Sequence, residues 1–320
     1  MTLTKVTHRI GVPSDVESVY RIVADVSLWP LYFPPTVRAE RQSWDGREEH
    51  IRIWALADGE LRTWQSRRLL DPGRHRVEFH QSHPSPPVAE MGGAWTVEEH
   101  DDGCTVVLDH HYRAVDDDPA HLARIERAVD HNSTAELENL RRAVLRAGQE
   151  AGLLLEFTDT ETVKGPLGEV YAFLYDAAKW PERLDHVAAL DLREDTEGLQ
   201  YMRMDTKAPD GSVHTTVSGR VCERDRRIVY KQAVLPPVLQ AHNGEWLFEE
   251  TAPGTVTVTA RHQVILSPEG IAALPEPPSS LDAARAAVRQ ALGGNSRATM
   301  ARARAFVEAG SSAAPAPPAS

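Results

Sequence analysis

The chain states most of its pattern twice. VYRIVADVSLWP at Val19–Pro30 returns as VYAFLYDAAKWP at Val170–Pro181, 151 residues later. DGELRTWQSRR at Asp58–Arg68 returns as DGSVHTTVSGR at Asp210–Arg220, an offset of 152. PPVAEMGGAWTVEE, ending at Glu99, returns as PPVLQAHNGEWLFEE, ending at Glu250, an offset of 151. DHNSTAELENLRRA, from Asp130, is echoed more faintly by GGNSRATMARARA, from Gly293, at 163. The second copy therefore carries an insertion before its last block, and the proline-rich stretch Ser267–Ser280 is the place for it. Three blocks at a nearly constant offset and a fourth in the same order mark a duplicated domain. A length of 320 residues suits two domains of about 150. The expected division is 1–149 and 152–310, with 311–320 (SSAAPAPPAS) a disordered tail.

Each copy has the same order of elements. An opening strand (Thr4–Ile10; Leu153–Thr160) leads to a short helix after Pro13 or Pro166, with Ser14 and Asp15 as candidate N-caps in the first copy. Trp29-Pro30 and Trp180-Pro181 then read as breaks, because a residue before proline avoids the helical region. Short segments follow, parted by Asp45-Gly46, Asp58-Gly59, Asp71-Pro72-Gly73 and Asp102-Gly103, the pattern of an antiparallel meander. A long helix closes each copy, at about 119–148 and 280–310. In the first, Leu122, Ile125, Val129, Leu137, Leu140, Val144 and Leu145 form the apolar stripe. The fold class is α+β, with a curved antiparallel sheet around a long C-terminal helix in each copy. Such an arrangement leaves an internal cavity between sheet and helix.

Composition narrows the partners. A net charge of -12 argues against nucleic acid and anionic membrane, both of which select for excess Lys and Arg. Cys104 and Cys222 are far apart and in no metal or redox spacing, which suits a reducing cytoplasm. No apolar run has the length of a signal peptide or a membrane span. No dinucleotide fingerprint, phosphate loop or metal cluster is present, so neither cofactor nor metal is expected.

One strand breaks the ordinary alternation. Arg62–Arg68 places Trp64, Ser66 and Arg68 on one face and Thr63, Gln65 and Arg67 on the other, so an arginine turns inward with either face. A buried guanidinium needs a partner. This W-x-S-x-R run, with Trp29-Pro30, Trp95 and the Asn132-Ser133 step, resembles the aromatase/cyclases of bacterial type II polyketide synthases, within the START-like helix-grip superfamily. Two copies in one chain make it similar to the di-domain subclass. The resemblance covers about residues 1–310.

Several expectations follow from the resemblance. The protein folds a poly-β-ketone carried on the phosphopantetheine arm of an acyl carrier protein. It closes the first ring by aldol addition between carbons 7 and 12, then removes water to aromatise it. It works beside the other synthase components. Arg68 would stabilise the enolate and alkoxide oxygens, and Ser66, on the same face, would bond a neighbouring carbonyl or hold water. Arg220 and Ser218 repeat the pair. Trp29, Trp64, Trp95 and Trp54, with Tyr32 at the mouth, would wall the first cavity, and Trp180 and Trp246 the second. The repeat itself, rather than the resemblance, singles out His111 and His262, at the 151 offset near the end of a strand. Either could serve as a base, and His111 could bind substrate, or each could simply be a polar residue completing its strand.

Blander readings stand beside these. Arg67 is a surface charge, and the repeated tryptophans have equal claim to a role in the fold. Trp64 has no counterpart because Thr216 stands there, so the larger aromatic pocket and the main cyclisation are expected in the first copy. In the second, Val213, Val217 and Val221 compete with His214, Thr216, Ser218, Arg220 and Cys222 for the inward face. A carrier of lipids or other hydrophobic ligands is an alternative function, and a dehydratase of an already closed ring is another.

Overall fold

A computed structural model describes residues 3–57, 59–147, 152–207 and 211–312. The chain divides into two compact units, the second beginning at Gly152.

In unit 1, β1 (Thr4–Val12) is followed by α1 (Val16–Ala24) and the single turn α2 (Trp29–Tyr32). Six strands come next: β2 (Thr36–Trp44), β3 (Glu48–Ala57), β4 (Glu60–Asp71), β5 (Arg76–Gln81), β6 (Val88–His100) and β7 (Gly103–Ala114). The helix α3 (Pro119–Ala147) closes the unit. The sheet runs β1-β7-β6-β5-β4-β3-β2, a meander whose last strand also pairs with the first. Asp15, not Ser14, caps α1, accepting a 2.7 Å bond from the Ser18 amide. Trp29-Pro30 opens α2 and does not break the chain, since Trp29 has helical angles (φ -60, ψ -40). Proline is tolerated in a first helical turn, where its missing N–H has no partner to lose.

Unit 2 repeats the plan. It consists of β8 (Leu154–Lys164), α4 (Leu167–Tyr175), α5 (Trp180–Arg183), β9 (Val187–Thr196), β10 (Leu199–Lys207), β11 (Val213–Glu223), β12 (Arg227–Val234), β13 (Leu239–Ala252), β14 (Thr255–Leu266), α6 (Pro268–Ala272) and α7 (Leu281–Ser312). Its sheet order is β8-β14-β13-β12-β11-β10-β9. The proline-rich stretch Ser267–Ser280, the place of the insertion, contains α6, capped by Ser267. The disordered tail expected from residue 311 lies, beyond Ser312, outside the described residues.

Each long helix packs on its own sheet, α3 against β1 and β7 and α7 against β8 and β14. The core of unit 1 gathers Val12, Val19, Val77, Trp95, Val106, Leu108, Leu137 and Leu140, and that of unit 2 Val163, Val170, Trp246, Val256, Val258, Met300 and Val307. Within the expected stripe of α3, Ile125, Val129, Leu137, Leu140 and Val144 are buried, but Leu145 stays 39% exposed. It follows Val144 directly and is turned about 100° away from it.

Gly294 sits inside α7 with open space around its Cα. Gly294→Ala should stabilise the chain by about 0.5–1 kcal/mol, since alanine loses less backbone entropy in a helix. Urea unfolding checks this, and a loss of stability would contradict it.

Candidate functional site

The inward arginine has its partner. Arg68 is 2% exposed, and its Nη1 lies 3.0 Å from Oε1 of Glu49, which is itself fully buried. Its Nη2 donates to the carbonyl oxygens of Val23 (2.7 Å) and Ala24 (3.2 Å), the end of α1. Those carbonyls lack helical partners, so the cation satisfies them and the negative end of the helix dipole together. The guanidinium lies over the Trp29 ring at 5.1 Å, and Trp29 Nε1 donates to the Ile22 carbonyl. Burial lowers Arg68's pKa to about 10 while Glu49 raises it, so the group is charged at neutral pH. Glu49 also meets Arg41.

Unit 2 builds the same anchor with one change. Arg220 is 1% exposed, donates from Nη2 to the Leu174 carbonyl at 2.6 Å, and lies 5.1 Å from the Trp180 ring. Its cross-strand neighbour is Gln200, which occupies the place of Glu49. Gln200 passes a 2.8 Å hydrogen bond on to Glu194, which also accepts from Tyr175 Oη and the Gly198 amide. Burial pushes the Glu194 carboxyl up, but these hydrogen bonds and Arg220's charge hold it below the usual range. No side chain among the described residues hydrogen-bonds Arg220 Nη1, which is buried. The ambiguity of β11 resolves here: Val221 is buried as well as Thr216, Ser218 and Arg220, while Val213 is 56% exposed, but it is the Arg220 face that reaches the end of α4 at Leu174. A polar face turns inward because its arginine has a helix end to hold.

The inner face of unit 1 is set by register. Arg68 pairs with Phe79 and Ser66 with Gln81, while Phe79 pairs with Gly93 and Gly93 with His110. Ser66 donates to the His80 carbonyl at 3.1 Å, so its hydroxyl proton is committed to the sheet and only its lone pairs are free to hold water or substrate. Trp64 and Trp29 pack with Val26, Ala39, Ile51, Ile53 and Ala55. Trp95 sits in the main core of unit 1, with Tyr32 packed against that core, and Trp180 and Trp246 sit in the core of unit 2. These residues support the fold directly.

Trp54, expected as a wall, and His111, expected to bind substrate or serve as a base, face the other way. Trp54 pairs with Arg38, and it lies between the Arg38 and Arg52 guanidinium groups at 4.6 and 4.8 Å. Its neighbours Ile53 and Ala55 are the ones that join Trp64 on the inner face. His111 pairs with Gly92 and stacks on His80, again on the outer face. Strand alternation separates both from Arg68.

The histidine that matches His262 is His110. Gly93 pairs with His110, and Gly244 pairs with His262. Unit 2 has one extra residue in the β13–β14 hairpin, so the true offset along β7 is 152. A slip of one residue exchanges the faces of a strand. His110 Nδ1 is 3.3 Å from Ser133 Oγ, and His262 Nε2 is 2.8 Å from Ser296 Oγ. Desolvation lowers both pKa values to about 4, with neighbouring His8 and His111 adding to it for His110. One turn beyond Ser133, burial pushes the Glu136 carboxyl up to about 7. The repeated Asn-Ser step was the sequence signal for Ser133 and Ser296, but nothing in REEHIRIW marked Glu49 as buried.

Among the described residues no cluster has the make-up of a metal site, and no helix is long and apolar enough to cross a membrane. The inner face thus offers a fixed cation, a neutral imidazole hydrogen-bonded to a serine, and flat aromatic walls. Such a set stabilises negative oxygen and moves protons.

The chain is similar to known proteins along most of its length. Residues 4–145 and 163–286 each match family models described as polyketide cyclase/dehydrase and lipid transport. The chain is 42% identical to a granaticin polyketide synthase bifunctional cyclase/dehydratase of Streptomyces violaceoruber, over 93% of each chain. It is 38% identical to the actinorhodin counterpart of Streptomyces coelicolor, over 94% of this chain and 96% of that one. Among solved structures, the di-domain aromatase/cyclase BexL of the BE-7585A pathway is 46% identical with a TM-score of 0.85, covering 95% of this chain and 99% of its own. The di-domain StfQ of the steffimycin pathway is 31% identical with a TM-score of 0.79, covering 98% and 100%.

Proposed function

The chain belongs to the polyketide cyclase/dehydratase family, and from that membership we propose that it closes and aromatises the first ring of a poly-β-ketone held by an acyl carrier protein. The identity to bifunctional cyclase/dehydratases over nearly the whole chain carries this reading. The buried Arg–Trp–Ser arrangement supports it.

Aldol closure removes a proton from a carbon between two carbonyls, and the resulting enolate attacks a carbonyl further along the chain. Negative charge passes from the enolate oxygen to the new alkoxide. Arg68 supplies a permanent positive charge on the inner face of unit 1, partly offset by Glu49. Being fixed by α1, it needs no reorganisation when the oxyanion forms. His110, neutral at pH 7, is the base in that unit, with Ser133 on its Nδ1. Trp29 and Trp64 restrict the curl of the chain, so that carbons 7 and 12 meet. Unit 1 carries the ring closure, and unit 2 completes aromatisation. The reaction is redox-neutral, so neither step calls for an electron carrier.

Reconstitution with a minimal polyketide synthase tests the proposal. The expected result is a new aromatic product, closed between carbons 7 and 12, at the expense of spontaneously folded shunt products. If the product spectrum is the same with and without the protein, the enzymatic reading fails and a binding role takes its place.

A further inference from the structure

Unit 2 contains a buried polar chain that unit 1 lacks. Gln232 Oε1 lies 2.9 Å from His242 Nδ1, His242 Nε2 lies 3.0 Å from His262 Nδ1, and His262 Nε2 lies 2.8 Å from Ser296 Oγ. Tyr230 Oη stands 3.4 Å from the same His262 Nδ1, with its ring edge-on to both imidazoles. His242, His262 and Ser296 are 2%, 5% and 4% exposed. Four elements contribute, the sheet strands β12, β13 and β14 and the helix α7, which closes the row.

A neutral imidazole carries one donor and one acceptor, which couples every member of this row. With the Gln232 carbonyl accepting from Nδ1 of His242, Nε2 of His242 must accept from His262, whose Nε2 then accepts the Ser296 hydroxyl proton. Turning the Gln232 amide end for end reverses all of these bonds together. The row has two proton arrangements of equal charge, so a proton taken up at one end is released at another without stranding charge on an intermediate ring. Burial keeps both imidazoles uncharged, with pKa values lowered to about 3 for His242, where His262 adds to it, and about 4 for His262, where Asp159 opposes the fall and Arg289 adds to it.

The site also holds a cation with spare capacity. Arg220 is the cross-strand partner of Tyr230, and its charge opposes the rise that burial imposes on the Tyr230 phenol. Its Nη1 is buried and makes no hydrogen bond among the described residues. In unit 1 the corresponding nitrogen faces Glu49. Gly244 makes room for this arrangement, since a Cβ there would come 2.1 Å from the Tyr230 ring. Unit 1 has Phe79 in place of Tyr230 and Met91 in place of His242, so its His110–Ser133 pair has no second imidazole and no phenol beside it.

We propose that Tyr230, His242, His262 and Ser296 form a second acid–base site, which removes water from the closed ring beside Arg220. This rests on the cyclase reading above and assigns its dehydration half to unit 2. The substrate class is a cyclic β-hydroxy ketone. Ser296 Oγ takes the proton on the carbon between the ketone and the carbinol carbon as it hands its own proton to His262 Nε2, and the electron pair enters the enolate, whose oxygen lies by Arg220 Nη1. The enolate then re-forms the ketone and a carbon–carbon double bond as the carbon–oxygen bond of the alcohol breaks. Tyr230 Oη protonates the departing oxygen, so water leaves, and the phenol regains its proton from His262. One proton is taken and one returned, and no oxidant or reductant enters.

The test uses the full chain with a minimal polyketide synthase and follows two products early in the reaction, the closed ring before and after loss of water. Tyr230→Phe and His242→Met install the side chains that unit 1 has at these places, and His262→Gln removes the base. Each should leave ring closure in place and slow water loss about a hundredfold, the usual contribution of one positioned acid or base. Hydrated closed rings should accumulate. Circular dichroism and thermal unfolding check the fold. If His262→Gln does not fold, Tyr230→Phe, which lacks a single hydroxyl, still decides. Wild-type ratios of the two products in folded Tyr230→Phe and His242→Met overturn the proposal while leaving the cyclase reading intact. If the native chain forms no closed ring at all, it is the cyclase reading that fails.

Discussion

Arg68→Ala should lower the stability of unit 1 by about 3–5 kcal/mol, the usual cost of removing one member of a buried ion pair. The substitution strands Glu49, which is fully buried with Arg41 as its remaining cation, and leaves the Val23 and Ala24 carbonyls at the end of α1 without their donor. Arg220→Ala should cost less, about 1–3 kcal/mol, because it removes a charge-assisted bond to Leu174 and the contact with Trp180 but strands no directly paired carboxylate. Urea titration of each variant reads both losses. Replacing both members, as Arg68→Met with Glu49→Gln, should recover most of the stability, since Gln200 already occupies that place in unit 2. An Arg68→Ala variant no less stable than Arg220→Ala would show that the Arg68–Glu49 pair does not hold unit 1 together. The double variant is also the sound way to ask about catalysis, because it removes the charge without removing the fold.

Acidification should unfold unit 2 from within, between about pH 6.5 and pH 4. His242 and His262 have folded pKa values of about 3 and 4, against about 6.5 for an unfolded chain. Their depressed values mean that the unfolded chain binds more protons than the folded one throughout that window, so stability is complete above pH 6.5 and falls as pH drops. Over two pH units below 6.5 each ring withdraws roughly 2–3 kcal/mol. His110 adds the same tendency to unit 1. Replacing His242 by Met, the residue of unit 1, should flatten the slope by about one group. Unfolding free energies measured from pH 7 to pH 4 check this, and an unchanged slope in His242→Met would refute the buried, neutral state assigned to that ring.

How much of this was legible can be judged residue by residue. The duplication, the meander and the closing helices were readable because offsets, turn residues and apolar periodicity are local properties of the chain. The inward Arg68 was readable as a problem, since either face of its strand carries an arginine. Its solution was not, because Glu49 lies on another strand in a run of polar residues that looks exposed. Trp54 shows a different limit. An aromatic residue beside apolar neighbours reads as an inner wall, but Ile53 and Ala55 claim the inner face, and the Arg38 and Arg52 side chains enclose Trp54 on the other.

The histidines show where the division falls. Sequence alone determined that two copies of one α+β domain exist, that each carries an arginine two residues beyond a serine, and that each long helix has an Asn-Ser step. Only the tertiary structure decided that His110 is the partner of His262, because one added residue in a hairpin changes the offset and exchanges the faces of a strand. It also decided that His242 and Tyr230 complete a row with His262 and Ser296, joining strands and a helix far apart in the chain. Alternation within a strand orders residues into two faces but does not say which face is buried. That choice belongs to the partners a folded chain brings together, here a helix end for Arg220 and a carboxylate for Arg68.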